Sequence, residues 1–251
     1  MNLFRHLYVL AILAATLVCG CGTAPGRPSK QSEVLAPSEV LDFATLFGEN
    51  CAGCHGSEGR GGAAIALNSP VYLAVADDAV IRKVIANGVN GTAMPAFAQS
   101  AGGMLTDAQI GVITKEIRSR WSQQGVLDAA NVPPYAPKAA GDAQRGEAAY
   151  RTFCESCHGP GGAGTSKGSS ITNGSFLALI SNQGLRTVVI TGRKELGAPD
   201  WRGNVPGKPM SDQEITDVVA WLASHRVQNP GQPYSASNYI PQQESKDVSR
   251  K

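Results

Sequence analysis

Two short segments carry the residues of this chain that are best suited to chemistry. Each has two cysteines separated by two residues and followed directly by a histidine, in Cys51-Ala52-Gly53-Cys54-His55 and Cys154-Glu155-Ser156-Cys157-His158. On one helical turn, two thiols at this spacing can reach the two vinyl groups of a haem, and the histidine that follows can then ligate the haem iron. The sequence therefore predicts two covalently attached haem groups, one at each segment.

Other uses of these cysteines fit the pattern less well. A redox-active or disulfide-forming pair does not need the following histidine. A zinc site needs four ligands, and each segment supplies only three. Once four cysteines are bound to haem, only Cys19 and Cys21 remain, so we expect no structural disulfide.

The two segments belong to a longer internal repeat. At almost the same spacing as the two cysteine motifs, Ile81–Gly88 resembles Leu185–Gly192 and Thr106–Ile110 resembles Ser211–Ile215. The chain therefore contains two copies of one domain.

The copies are expected to be helical. We predict a helix that runs into each cysteine motif from about Ser38 or Ala143, and a last helix capped by Thr106 or Ser211. A middle helix is predicted at about 77–87 and 182–191. The residues predicted to line the buried face of the last helices are Ile110, Ile113, Ile117, Ile215, Val218 and Leu222. Because no long β-branched alternation occurs, a sheet is not expected and the fold class is all-α.

The first twenty residues predict export. A basic start, Arg5-His6, precedes the apolar run Leu7–Val18, which is shorter than the ~20 residues of a membrane-spanning helix. The segment Val18-Cys19-Gly20-Cys21 resembles a bacterial lipobox, which would leave Cys21 as the lipidated N-terminus. Ordinary secretion and an uncleaved anchor are the alternatives. By the same resemblance, Gly22 in place of Asp slightly favours the outer membrane over the inner one.

These observations divide the chain into segments. A proline-rich stretch, Asn131–Pro137, predicts a semi-rigid spacer between the copies. The predicted segments are a lipoprotein signal peptide at 1–20, a flexible tether at 21–37, a domain at 38–125, a linker at 126–140, a domain at 141–229 and a polar tail at 230–251.

Composition excludes two classes of protein. Hydrophobic residues make up 42% of the 251 residues, which is too many for a disordered chain. With 22 basic and 20 acidic residues the net charge is only +2, which argues against a nucleic-acid-binding protein.

The chain resembles the class I c-type cytochrome family, and more closely its two-domain dihaem lipoproteins. The resemblance rests on both Cys-x-x-Cys-His-Gly runs, on the helix that ends at Asn50 or Phe153, and on a Met-Pro loop before the last helix. It implies two tandem cytochrome c domains, each wrapped around a covalent haem, and a function in electron transfer. The haem would also complete the thin core of so small a domain.

In the first copy, the resemblance implies that Met94, in the loop Thr92–Phe97, is the iron ligand opposite His55. A thioether at this position raises the reduction potential of the haem. Met104 is the competing candidate, and its alternative role is a packing contact before the last helix.

The second copy lacks this methionine, because the residue that corresponds to Met94 is Ala198. Met210 is a tentative ligand opposite His158, although it corresponds to the packing residue Leu105. An open or water-bound iron is a second possibility, and Lys194, Lys208 and His225 are weaker candidates. We therefore expect two haems of unequal potential, with the higher potential at the Met94 haem.

The sequence favours a periplasmic electron carrier, anchored by lipid to a bacterial membrane, over an enzyme. Its expected partners are redox proteins of the membrane or periplasm, including a membrane respiratory complex. The alternatives are a dihaem peroxidase-like enzyme and a gas or redox sensor, both of which would use an open second haem. No acid–base pair is evident, since Glu195 and Asp200 beside Ala198 are interpreted as solvated charges.

Overall fold

A computed structural model describes residues 34–128, 131–229 and 231. Contacts divide the chain into two units, residues 1–39 and 40–251, and both copies of the repeat lie in the second unit. In the first unit, the described part contains a 3₁₀ turn at Pro37–Glu39. The predicted signal peptide, the lipidation residue Cys21 and nearly all of the predicted tail lie outside the described residues.

The described residues form helices and no strand, which confirms the all-α fold class. The helices of the first copy are α1 (Phe43–Asn50), α2 (Ala52–His55), α3 (Pro70–Val75), α4 (Asp78–Asn87) and α5 (Asp107–Trp121). Those of the second copy are α6 (Ala143–Phe153), α7 (Glu155–His158), α8 (Gly174–Ala178), α9 (Asn182–Thr191) and α10 (Asp212–Ser224). No helix in the described ranges has the length and apolar character needed to cross a membrane.

Capping side chains explain where these helices begin. Thr106 and Ser211 cap the last helices, as the sequence predicted. Each forms a capping box, in which the cap and a side chain three residues later satisfy each other's backbone amides. The predicted start of the first helix at Ser38 is wrong. Asp42 accepts a hydrogen bond from the Thr45 amide at 2.8 Å, so α1 begins at Phe43.

Each copy encloses its own apolar core, and the last helix lies at its centre. The predicted buried face is confirmed, since all six residues are at most 5% exposed. The packing role considered for Met104 is wrong, because 80% of that residue is exposed.

Helix α3 and the linker both connect the two copies. Val71 and Val75 on α3 pack into the core of the second copy, where α3 contacts α9. Tyr135, in the linker, packs against the core of the first copy.

The first helix of the second copy crosses the last helix closely at Gly146. A Cβ atom on Gly146 would lie 2.0 Å from the carbonyl oxygen of Asp217 and 2.8 Å from the Cβ of Trp221. Above this crossing, the rings of Tyr150 and Trp221 stack with centroids 4.3 Å apart. The approach of α6 to α10 therefore depends on the absence of a side chain at Gly146.

The same crossing buries the carboxylate of Asp217. Its oxygens accept hydrogen bonds from the Asp142 amide at 2.8 Å, from Gln213 at 2.9 Å, and from Arg145 at 2.8 and 3.0 Å. Burial by itself would raise the pKa of Asp217, but these hydrogen bonds outweigh it and hold the pKa below its usual 3.8.

We predict that Gly146→Ala lowers the free energy of unfolding by about 1–3 kcal/mol, because the added methyl group meets backbone that must move. Denaturant unfolding followed by circular dichroism measures this change. Gly48→Ala on α1 is the matched control, since a Cβ there has nothing within 4 Å. It should gain about 0.5–1 kcal/mol from helix propensity, and equal stabilities for the two variants would contradict the prediction.

We also predict that Asp217→Asn destabilises the protein in a pH-dependent way. A carboxyl group whose folded pKa is lowered stabilises the fold above its unfolded pKa, and this contribution is lost as the pH falls through the folded pKa. The loss in the variant should therefore be full near neutral pH, at roughly 1–3 kcal/mol, and shrink in acid below the unfolded pKa of about 3.8. Asp107→Asn, at a mostly exposed carboxylate, should show little loss, and a pH-independent loss for Asp217→Asn would count against the prediction.

Candidate haem-binding site

Both cysteine motifs occupy the same kind of helical turn. Cys51 ends α1, where its amide donates to the Phe47 carbonyl at 2.9 Å, and its own carbonyl accepts from the His55 amide at 3.0 Å. In the second copy, Cys154 donates to the Tyr150 carbonyl at 2.8 Å and accepts from the His158 amide at 3.0 Å. Each preceding helix thus sets the direction of the short helix that carries two thiols and an imidazole.

The two histidines are fixed by the same hydrogen bond. His55 Nδ1 lies 2.8 Å from the Ile65 carbonyl oxygen, and His158 Nδ1 lies 2.8 Å from the Ser169 carbonyl oxygen. A carbonyl only accepts, so Nδ1 carries the proton and Nε2 keeps the lone pair that a metal needs. Burial lowers the pKa of His55, although the bond to Ile65 acts in the opposite direction, and the neutral ring is therefore favoured.

The four thiols are free of disulfide bonds. Burial, together with the charge of the second thiol in each motif, raises the pKa of Cys51 to about 11 and that of Cys154 to about 12. A redox-active pair instead needs a thiol with a lowered pKa. Two thiols beside an imidazole with a free Nε2 are the groups that a covalently attached haem requires, so the residues present fit that cofactor.

The Met94 loop returns to the middle helix through a glycine. Met94 is half-buried, and its carbonyl accepts from the Val89 amide at 3.0 Å. Gly88 has φ 63°, and a Cβ there would lie 2.7 Å from the Met94 carbonyl oxygen and 2.5 Å from the Pro95 carbonyl carbon. Because only glycine allows so close an approach, Gly88 helps to set the position of Met94.

The second copy repeats this loop without the methionine. Gly192 has φ 66°, and a Cβ there would lie 2.7 Å from the Ala198 carbonyl oxygen. That carbonyl accepts from the Arg193 amide at 3.0 Å, as the Met94 carbonyl accepts from Val89. The structure therefore places Ala198 in the position of Met94, as the repeat predicted.

Met210 occupies a packing position in the second core. It is 2% exposed, and its amide donates to the Trp201 carbonyl at 3.0 Å, as Leu105 donates to Phe97 at 2.7 Å. Its sulfur lies 3.7 Å from the Asn204 side-chain nitrogen. The tentative ligand is therefore held in the same place as its apolar counterpart.

The weaker candidates have contacts of their own. Lys194 Nζ lies 3.8 Å from an Asp200 oxygen, and Lys208 Nζ lies 5.0 Å from the centre of the Phe153 ring. His225 Nδ1 lies 2.9 Å from the Trp221 carbonyl oxygen.

The interpretation of Asp200 as a solvated charge is wrong. Asp200 is 6% exposed, and its two oxygens accept from Arg202 at 3.0 and 2.7 Å. Burial by itself would raise its pKa, but the hydrogen bonds and charge of Arg202 hold the pKa below 3.8. No local pattern predicts this pairing, because an acidic and a basic residue two positions apart are common on any surface.

Comparison with known proteins agrees with this geometry. A family model described as "Cytochrome C oxidase, cbb3-type, subunit III" matches residues 38–114 and 141–222. A cbb3-type cytochrome c oxidase subunit CcoP from Azospirillum sp. (strain B510) is 31% identical over 143 residues, which cover 51% of this chain and 43% of that protein. The chain thus spans less than half the length of this relative.

Among solved structures, the Kuenenia stuttgartiensis reducing HAO-like protein complex Kustc0457/Kustc0458 matches with a TM-score of 0.40 and 18% identity. The match covers 77% of this chain and all of that one.

We predict that the double variant Cys154→Ala/Cys157→Ala loses one of two covalently bound haems, and that Cys51→Ala/Cys54→Ala loses the other. The reason is that the thioether links need the thiols, while the remaining motif is unaffected. Mass spectrometry of the denatured protein and iron analysis measure the loss, with the untouched motif as the internal control. A double variant that keeps two covalently bound haems would refute the assignment.

Proposed function

Because the chain belongs to the family of the cbb3-type cytochrome c oxidase subunit III, we propose that it is a periplasmic dihaem c-type cytochrome that carries electrons between membrane or periplasmic redox partners. The observation that carries the proposal is the identical turn in both copies, in which each histidine donates from Nδ1 to a backbone carbonyl and keeps Nε2 free.

The residues of the chain divide the work of holding two haems. Cys51 and Cys54 in the first copy, and Cys154 and Cys157 in the second, would form the thioether links. His55 and His158 would ligate the irons through Nε2, and the surrounding apolar cores would exclude water. Each haem, when bound, supplies reversible one-electron transfer, and the protein orients it and tunes its potential.

The two haems are expected to differ in potential. Met94 would place a thioether on the first iron, which favours its reduced form. In the second copy, Ala198 offers no ligand and Met210 is held at a packing position. The Met94 haem is therefore the stronger electron acceptor of the two.

The relative named above suggests the setting in which electrons move. It is a subunit of a cytochrome c oxidase, and we propose that this chain likewise serves a membrane respiratory complex. A lipid on Cys21 would hold it at the membrane, with the outer membrane slightly favoured, and raise its effective concentration near its partners. With a net charge of only +2, no strong long-range electrostatic steering is expected.

A second candidate function follows from Ala198. An iron with an open position could bind peroxide or a diatomic gas, as in a dihaem peroxidase-like enzyme or a sensor. The charged groups beside Ala198 are already paired, Asp200 with Arg202 and Glu195 with Arg193. This pairing favours the carrier over an enzyme that needs a free acid or base.

We predict two distinct midpoint potentials in a redox titration, with a thioether absorption band that belongs to the higher one. Met94→Ala should lower that potential, abolish the band and let the ferrous first haem bind carbon monoxide, because the sulfur ligand is lost. Met104→Ala is the matched control and should change neither, since Met104 is exposed. Two equal high potentials, each with a thioether band, would contradict the unequal pair.

A further inference from the structure

Arg193 connects the two copies of the repeat. Its Nη2 donates to the Gly62 carbonyl of the first copy at 3.0 Å, and its Nε donates to Glu195 at 2.5 Å. Its side chain is 17% exposed. The guanidinium group is thus held in one orientation by a carboxylate on its own side of the contact and a carbonyl on the other.

At one end of this contact lies the first cysteine motif. A Cβ atom on Gly62 would stand 2.1 Å from the Cys54 carbonyl oxygen, and the Ala64 amide donates to that oxygen at 3.0 Å. The backbone at Gly62 therefore packs directly on Cys54, one of the two thiols assigned to the first haem.

At the other end lies the loop that carries Ala198, the residue in the position of Met94. The amide of Arg193 donates to the Ala198 carbonyl, and the Ala198 amide donates back, both at 3.0 Å. In the first copy, the matching residue is Val89, which has no side-chain donor. The hydrogen bond from the Arg193 side chain to Gly62 therefore has no counterpart made by Val89 in the first copy.

Apolar packing also holds the copies together near the Gly62–Arg193 contact. Val71, on α3 of the first copy, is 1% exposed and belongs to the core of the second copy. It sits where α3 contacts α9, and α9 ends at Thr191, two residues before Arg193. The interface thus combines a buried apolar contact with one directional hydrogen bond.

We propose that Arg193 is a positioning residue for electron transfer between the two haems, and that one electron crosses the Gly62–Arg193 contact. The electron leaves the ferrous second haem, which becomes ferric, and reduces the ferric first haem. No proton or other reactant is consumed. The proposal rests on the proposed function, because the direction follows from the higher potential assigned to the Met94 haem.

The test uses the full-length protein with both haems attached, as the wild type, Arg193→Ala, Arg193→Lys and Arg151→Ala. Arg151 is a matched control, since it pairs with Glu147 on the exposed face of α6. A flash-generated one-electron reductant reduces a small fraction of fully oxidised protein. The redistribution of the electron between the haems is then followed by absorbance at several protein concentrations, and both midpoint potentials are titrated separately.

In the wild type we expect redistribution at a rate independent of protein concentration. Arg193→Ala should lower that rate by about tenfold or more, because small displacements of reacting centres slow a reaction steeply. Both midpoint potentials and both haems should be retained. Arg193→Lys should recover part of the rate through a remaining donor to Gly62, and Arg151→Ala should match the wild type.

Three results would overturn the inference. The first is an unchanged rate in Arg193→Ala. The second is a shift in the potential of the second haem that accounts for the slower rate, since Arg193 would then tune one haem instead of positioning both. The third is that both haems of the wild type accept electrons from the reductant but exchange none with each other. That third result would leave the proposed function intact. A wild type whose haems accept no electrons would instead refute the proposed function.

Discussion

The hydrogen bond from each histidine Nδ1 to a backbone carbonyl is the interaction on which the rest of the structure depends. It links His55 to Ile65 and His158 to Ser169, and so closes the glycine-rich loop that follows each cysteine motif. By fixing the proton on Nδ1, it leaves Nε2 as the only metal-binding atom of the ring. The loop, the helix before it and the direction of the imidazole are therefore set together.

The two copies use one backbone plan with different side chains. Gly88 and Gly192 bring the loop that follows the middle helix to the same place, yet one loop presents Met94 and the other Ala198. Val89 and Arg193 donate the same backbone hydrogen bond, yet only the arginine reaches the other copy. Differences in contacts between the copies thus arise from substitutions that leave the fold unchanged.

Local signals in the sequence predicted most of the elements. The capping residues Thr106 and Ser211 and the isoleucine face of α5 depend on spacing within a few residues, and the structure confirms both. The short helices α3 and α8 were not predicted, because one or two turns give too few residues for a periodic pattern. The predicted thiol and imidazole residues of each motif lie together on one turn, and the structure confirms that Ala198 takes the place of Met94.

Contacts between distant parts of the chain could not be predicted in this way. The roles of Asp217 and Arg193 depend on partners that only folding brings together, and the burial of Asp200 depends on how the whole second copy packs. A charged residue in a sequence is most often a solvated one, so no local pattern distinguishes these three. The sequence shows where these residues lie along the chain, but it does not show that the fold buries them.

The same ion pair occurs in both copies, but its arginine is buried only in the second copy. Arg82 pairs with Asp107 in the first copy, and Arg186 pairs with Asp212 at the equivalent place in the second. Whereas the side chain of Arg82 is 42% exposed, that of Arg186 is 2% exposed.

The linker causes this difference in burial. Arg186 donates to the carbonyls of Pro134 and Tyr135 at 2.8 and 3.0 Å, while Thr216 takes another of its donors. A buried guanidinium is tolerated only when its donors are satisfied, so the second copy needs the linker backbone at that place. Tyr135 in turn packs on the core of the first copy. The linker therefore fixes both copies against each other, and the Gly62–Arg193 contact forms between two bodies that are already joined at a second point.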